Sequence, residues 1–285
     1  MADETAQQLT LTRFELRPED GQPPIRGEVR TLPGADPRSA VVLCHGFKGF
    51  RTWGFFPPLA RALARQGHAA VTFDLSHNGV GADGVDFSAL DLFAGQTHSR
   101  NVDEIRLVVD ALMGGEILRH APERLGLFGH SRGGGEAVLA AAEDPHVDAL
   151  VTWAAIADVN RWSPEQTAAW ERGETVEIAN ARTGQQMPIG PDYGRDLREH
   201  HARLDIRAAA AELAIPWLIV HGDQDDSVDP ADGHALFDAA GENAELYLIE
   251  GAGHTFGVTH PYRGATDELR AAAGATLEWF GEHLA

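Results

Sequence analysis

The sequence predicts an α/β fold: a mainly parallel, eight-stranded sheet flanked by helices, with one small inserted cap. Three observations carry that expectation. Segments with strand and helix periodicity alternate along most of the 285 residues, as strands joined by crossover helices do. From residue 39 onward the strand-like segments are short, continuous apolar runs, which suits strands covered on both faces. One such run ends in a serine set among glycines, "LGLFGHSRGGGEAVLA" at residues 125–140, where an extended segment gives way to a helical one.

The elements follow in order. "LTLTRFEL" and "IRGEVRTL" alternate apolar and polar residues as half-buried strands do, with "RPEDGQPP" as the turn between them. "SAVVLCHG" is the first fully apolar strand, and "FFPPLARALARQG" is a helix begun by prolines and stopped by Gly67. The strand "HAAVTFDL" leads into a glycine- and aspartate-rich loop, "SHNGVGADGVDFSALDLFAGQTH". The next helix places Val102, Ile105, Val109 and Leu112 on one face and ends at Gly114. "RLGLFGH", "VDALVTWAAI", "PWLIVHG" and "ELYLIEG" are strands. "GEAVLAAAED", "HALFDAAG" and "ATDELRAAAGATLEWFGEHL" are helices. Between "VDALVTWAAI" and "PWLIVHG" the connection is far longer than a crossover needs. It holds helical stretches at "SPEQTAAWERG" and "GRDLREHHARLDIRAAAAEL", and a hairpin turning at "NARTG". Residues 1–158 and 213–285 are therefore expected to form the core, and 159–212 a cap over a site.

Composition narrows the functions. The net charge is −20, from 43 acidic and 23 basic residues, and Lys48 is the sole lysine. Such a surface repels phosphate backbones and anionic lipid, so neither nucleic acid nor membrane is an expected partner. A solvated acidic surface and an adaptation to high salt both fit the charge. The N-terminus has no basic start followed by an apolar run, no segment is long enough to span a bilayer, and Cys44 is the single cysteine. These features predict a cytoplasmic location.

The serine in its glycine frame is Gly129-His130-Ser131-Arg132-Gly133. At a strand-to-helix turn, G-x-S-x-G forms an elbow that exposes the hydroxyl above the sheet. A serine hydroxyl needs a base to take its proton, and the base needs an orienting carboxylate. In the chain order serine, acid, histidine, "HGDQDDSVDP" offers Asp223, Asp225, Asp226 and Asp229, and "GAGHTFG" offers His254. Both segments follow apolar strands, at the strand ends where open α/β sheets bind ligands.

With "LCHGFKG", "GHSRGG", "HGDQDDSV" and "GAGHTF" on the page, the chain resembles the α/β hydrolases, in particular their small carboxylesterase and dienelactone-hydrolase-like branch. The resemblance spans nearly the whole chain. It implies Ser131 as nucleophile, His254 as base and Asp225 as the acid of H-G-x-x-D-x-x-V, with Val228 as the valine of that motif. Dienelactone hydrolases proper use a cysteine nucleophile, from which this chain departs. The hairpin-bearing insert is similar to that of feruloyl and cinnamoyl esterases. The elbow assigns one oxyanion N–H to Arg132, and the resemblance assigns the other to Phe47. The expected function is hydrolysis of carboxylic esters of small acyl or aryl substrates without cofactor or metal. A serine aminopeptidase or acylpeptidase is the alternative, and a non-catalytic binding module the third class. A small-molecule ester is the expected partner, and a homodimer is allowed. His45, His130 and His221 are expected to be structural, His200 and His201 a polar helix face, and Cys44 a buried small apolar residue. Trp162 and Trp170 are either lid aromatics or the insert's own core.

Overall fold

The computed structural model describes residues 8–18, 21–81 and 84–285. The N-terminal stretch, the tip of the first turn and two residues of the loop "SHNGVGADG" fall outside the described residues. Strands β1 (Thr10–Leu16) and β2 (Ile25–Thr31) pair antiparallel. The wholly buried β3 (Ser39–Cys44) leads to α1 (Phe56–Arg65), which begins on Pro57 and Pro58 and gives way at Gly67, φ +101°. Proline fits there because the first N–H groups of a helix have no partner to lose. After β4 (Ala69–Asp74) comes a short helix, α2 (Leu90–Ala94), inside the segment expected to be loop. Five residues are too few to display a helical period.

Helix α3 (His98–Met113) is capped by Thr97, whose side chain accepts from the Arg100 N–H, and it buries the four apolar residues expected of it. Gly114 stays right-handed at φ −78°, and the reversal falls to Gly115 at φ +74°. Strand β5 (Arg124–His130), α4 (Arg132–Glu143) and β6 (Ala149–Trp153) follow. The insert holds α5 (Pro164–Glu171), the hairpin β7 (Val176–Ala179) and β8 (Gln186–Ile189), and α6 (Pro191–Glu199). The hairpin turns where "NARTG" places it, closed by the Asn180 N–H on the Gln185 carbonyl at 2.8 Å. The second helical stretch of the insert divides in two, because Asp205 caps a new helix, α7 (Ile206–Glu212), by accepting from the Ala208 N–H. The chain closes with β9 (Trp217–Gly222), α8 (Pro230–Ala240), β10 (Ala244–Ile249) and α9 (Asp267–His283).

The eight-stranded sheet runs β1-β2-β4-β3-β5-β6-β9-β10. Within this sheet only β1–β2 and β2–β4 are antiparallel, so β3, β4, β5, β6, β9 and β10 all end on the same edge. Alternating side chains feed two cores, as the two-residue period requires. Val42 and Cys44 pack with α3, α4 and α7 on one face, while Val41 and Leu43 pack with α1 and α9 on the other. Although α7 falls within 159–212, its Ile206 and Ala210 belong to the first of these cores. The rest of the insert gathers around Trp170, Met187, Ile189 and Tyr193, together with Phe50, Phe87 and Phe93 from the loops beneath. Among the described residues no helix is long and apolar enough to cross a membrane.

Candidate active site

Ser131 stands between β5 and α4 with φ +58° and ψ −124°. A non-glycine residue in that region is strained by about 1–3 kcal/mol and persists only where its surroundings impose it. They do so here. The Ser131 N–H donates to the Trp153 carbonyl at 2.8 Å, and its own carbonyl accepts from Gly134 at 2.9 Å. The flanking glycines are a matter of space. A Cβ on Gly129 would lie 2.3 Å from the Gly133 carbonyl oxygen, and one on Gly133 would lie 2.3 Å from that of His45. The helix can start this close to the strands only because neither position carries a side chain.

The other two candidates arrive from the loops after β9 and β10. Ser131 Oγ lies 3.0 Å from His254 Nε2, and His254 Nδ1 lies 2.8 Å from Asp225 Oδ2. The remaining carboxylate oxygen, Oδ1, accepts from the Ser227 and Val228 N–H groups at 2.9 and 3.0 Å. Burial opposes ionisation of Asp225. Hydrogen bonds from His221, His254 and the Val228 N–H outweigh it and hold the carboxyl well below the ordinary range. A carboxylate on Nδ1 fixes the tautomer with Nε2 free to accept from the hydroxyl. Such a line can draw a proton off serine as its oxygen attacks an electrophile. Asp223 and Asp226 are spent elsewhere, on the Gly251 N–H and the Ser227 hydroxyl.

The three strand-end histidines hold the site from beneath. His130 Nε2–H donates to the His254 carbonyl at 3.0 Å, and His221 Nε2–H to the Val228 carbonyl at 3.0 Å. His45 spans Gly46 and Leu75. Burial pushes His45 down to about 4 and, helped by the neighbouring His254, His130 down to about 3. Both rings are therefore neutral at pH 7. Cys44 is buried, which pushes its thiol up and keeps it protonated. His200 ends α6 and His201 follows it, both exposed.

The loop after β3 presses against the elbow. A Cβ on Gly46 would sit 3.0 Å from Ser131 Cβ and 3.6 Å from the Arg132 nitrogen. Phe47 follows directly, and the Arg132 guanidinium lies 5.0 Å from the centre of its ring. A cavity of about 480 Å³ opens on Ser131 and His254, walled by Phe47, Ile156, Val159, Trp162, Ile178 and Val228 among others. Trp162 thus faces the cavity. Trp170 is buried in the insert, its indole N–H on the Ile189 carbonyl.

One group bordering this cavity has no signal in the sequence. Tyr193 hydroxyl meets His98 Nε2 at 2.7 Å, His98 Nδ1–H donates to Glu136 Oε1 at 2.8 Å, and Arg132 Nε lies 3.0 Å from that same oxygen. These residues come from α6, α3 and α4, too far apart in the chain for any local spacing to link them.

The model of the family described as serine aminopeptidase, S33, matches residues 35–184. An Escherichia coli protein described as an uncharacterized 31.7 kDa protein in the traX-finO intergenic region is 29% identical, over 86% of this chain and 91% of its own. The monoacylglycerol lipase of Mycolicibacterium smegmatis is 26% identical over 78% of this chain and 83% of its own. Among solved structures, Est1E from Butyrivibrio proteoclasticus superposes with a TM-score of 0.66 at 20% identity, covering 95% of this chain and 98% of that one. The family match spans more than half of the chain and the fold accounts for the rest: the protein is an α/β hydrolase of the serine aminopeptidase S33 family.

Proposed function

We propose that the protein hydrolyses carboxylic esters of small acyl or aryl substrates through an acyl-enzyme, with Ser131, His254 and Asp225 as the catalytic residues. One observation carries the reading: the hydrogen-bonded line Asp225–His254–Ser131 ends on a strained serine that opens into a largely apolar cavity. Ser131 Oγ attacks the ester carbonyl while His254 Nε2 takes its proton. The resulting imidazolium is held by Asp225. The tetrahedral oxyanion lies between the backbone N–H groups of Phe47 and Arg132, near the positive end of α4. His254 returns the proton to the leaving alcohol, and water then releases the acid by the same steps. The part of the insert from Trp162 through α6 acts as a cap, a role supported by the presence of Trp162, Ile178 and Tyr193 in the cavity wall, while α7 packs with the core. Excluding water there strengthens every contact to the oxyanion.

The family description favours a second reading, an aminopeptidase. That chemistry must hold a substrate ammonium, for which a carboxylate is the natural partner. The cavity wall contains Lys48, Arg132 and Arg161 and no carboxylate among its described residues. The charge therefore favours the esterase. A panel of aryl esters of increasing acyl length, a feruloyl ester and an aminoacyl anilide decides between the two. Ester turnover that vanishes in Ser131→Ala supports the proposal. Turnover of the anilide alone refutes it.

A further inference from the structure

A second, smaller cavity of about 190 Å³ also opens on Ser131 and His254, across the Phe47–Lys48 segment from the first. Its wall includes Lys48, Asn180 and Arg182, and again no carboxylate among the described residues. We propose that this cavity receives a carboxylate carried by the substrate, with Lys48 as its counter-ion, so that the enzyme selects esters one half of which ends in a carboxylate. The proposal rests on the ester-hydrolase reading and names its substrate class.

Three independent features lead there. The first is the charge balance. In a chain of net charge −20, a cation beside the serine with no carboxylate partner is a place that attracts an anion. Two of the arginines near Ser131 are already matched: Arg132 by Glu136 at 3.0 Å, Arg161 by Asp232 at 2.6 Å. Lys48 is not. Among the described residues its ammonium meets only the Ala179 carbonyl, at 3.2 Å, with the Phe47 ring 5.4 Å away. Partial burial lowers its pKa with no acid acting against that.

The second feature is backbone strain. Gly46 to Gly49 form a turn closed by the Gly49 N–H on the Gly46 carbonyl at 3.0 Å, and Lys48 occupies its left-handed position at φ +56°. Glycine would sit there without cost. The only lysine of the chain is instead held there, beside the nucleophile. The third is an unused donor. Asn180 is buried, its Oδ1 accepts from the Arg182 N–H, and its Nδ2 has no partner among the described residues. Asn180 lines the cavity, and a small turn of its amide would bring that donor to a ligand carboxylate. At roughly 30 Å³ per water, the cavity has room for a carboxylate on a short chain.

The test compares three esters: 4-nitrophenyl butyrate, mono-4-nitrophenyl glutarate with the anion on the acyl side, and 4-carboxyphenyl butyrate with it on the leaving side. Wild-type enzyme is expected to favour one of the anionic esters by at least ten-fold in kcat/KM after correction for intrinsic reactivity, about 1.4 kcal/mol. Which of the two is favoured identifies the half that carries the carboxylate. The preference should shrink in 0.5 M NaCl, fall at least ten-fold in Lys48→Met, mainly through KM, and persist in Lys48→Arg. Turnover of the neutral ester with no preference for either anionic one overturns the carboxylate pocket and leaves the esterase standing. A preference that survives in Lys48→Met does the same. If none of the three is hydrolysed, the esterase reading falls and the pocket proposal falls with it.

Discussion

Replacing Asp225 by asparagine keeps the shape of the side chain and changes only what one of its two terminal atoms can do. In the native loop Oδ1 accepts two backbone N–H groups, from Ser227 and Val228, and Oδ2 accepts from His254, with His221 Nε2 3.4 Å from the same oxygen. An asparagine has one oxygen for these two sites. Turning that oxygen toward His254 would set an NH₂ against two N–H donors and leave both unpaired, at about 1–3 kcal/mol each. The sum, about 2–6 kcal/mol, means that the amide keeps its oxygen on the backbone and its NH₂ on His254 Nδ1. The imidazole then carries its proton on Nε2, where it cannot accept one from Ser131. At about 1.36 kcal/mol per factor of ten, the competent orientation is reduced by roughly 30- to 3 × 10⁴-fold. The upper part of that range agrees with losses of about 10⁴ on neutralising a triad acid. The assay is kcat on the best aryl ester at pH 7.5, with the urea midpoint as a control on folding. Asp223→Asn and Asp226→Asn, whose carboxylates serve other partners, should stay within about three-fold of wild type, because the large loss belongs to the acid on the imidazole. If Asp225→Asn keeps more than a tenth of wild-type kcat, or if Asp223 or Asp226 proves the sensitive position, the assignment of the acid is wrong.

Ser131→Gly should abolish ester hydrolysis and yet raise stability by about 1 kcal/mol, because glycine accepts φ +58° without the strain a side chain brings. Denaturant midpoints of Ser131→Gly and Ser131→Ala, compared side by side, measure it. Trp162→Ala should change the kcat/KM ratio between a short aliphatic and a bulky aryl ester by several-fold with little loss of stability. Trp170→Ala should instead destabilise by about 3–5 kcal/mol, since it empties the centre of the insert. Acid should destabilise the fold well before the carboxylates titrate. Burial is the chief cause that pushes His45 and His77 to about 4 and His130 to about 3. With folded pKa values below the ordinary value of 6.5, the native state binds fewer protons than the unfolded one, and stability drains away as pH falls from about 6.5 toward 4. Glu104, pushed up to about 7 chiefly by burial, acts in the opposite sense. These three histidines against Glu104 leave a net of two protons, about 2.7 kcal/mol per pH unit, and His68, His98 and His260, which burial also pushes down, act in the same direction. Urea midpoints between pH 7.5 and 5 measure the slope, and a flat profile would refute the buried neutral histidines.

That Ser131, His254 and Asp225 would meet was legible because each place depends on a few consecutive residues. The elbow needs glycines within two positions of the serine. The acid loop needs Val228 three residues after Asp225, where its N–H can return to the carboxylate. The mainly parallel sheet was legible too, since strands buried on both faces leave unbroken apolar runs. The group of Tyr193, His98 and Glu136 was not, because its members meet only through packing of α3, α4 and α6. The break between α6 and α7 was hidden by a continuous run of good helix formers, and only the side chain of Asp205 marks it. Lys48 stood out by its rarity alone. Its strained backbone and the unused amide of Asn180 appear only once the loop and the hairpin face each other.

The two ends of the insert leave from neighbouring strands: β6 and β9 lie side by side, with Trp153 opposite Val220. The chain between residues 154 and 216 therefore leaves the edge where β6 ends and re-enters at the opposite edge, where the adjacent β9 begins. Doubling the length of such an excursion adds only about 0.6 kcal/mol of closure entropy. A lineage can lengthen, shorten or replace the segment above Ser131 without disturbing the register of any strand below. The line from Asp225 to Ser131 is held by the sheet, while the walls of the cavity above it are free to diverge.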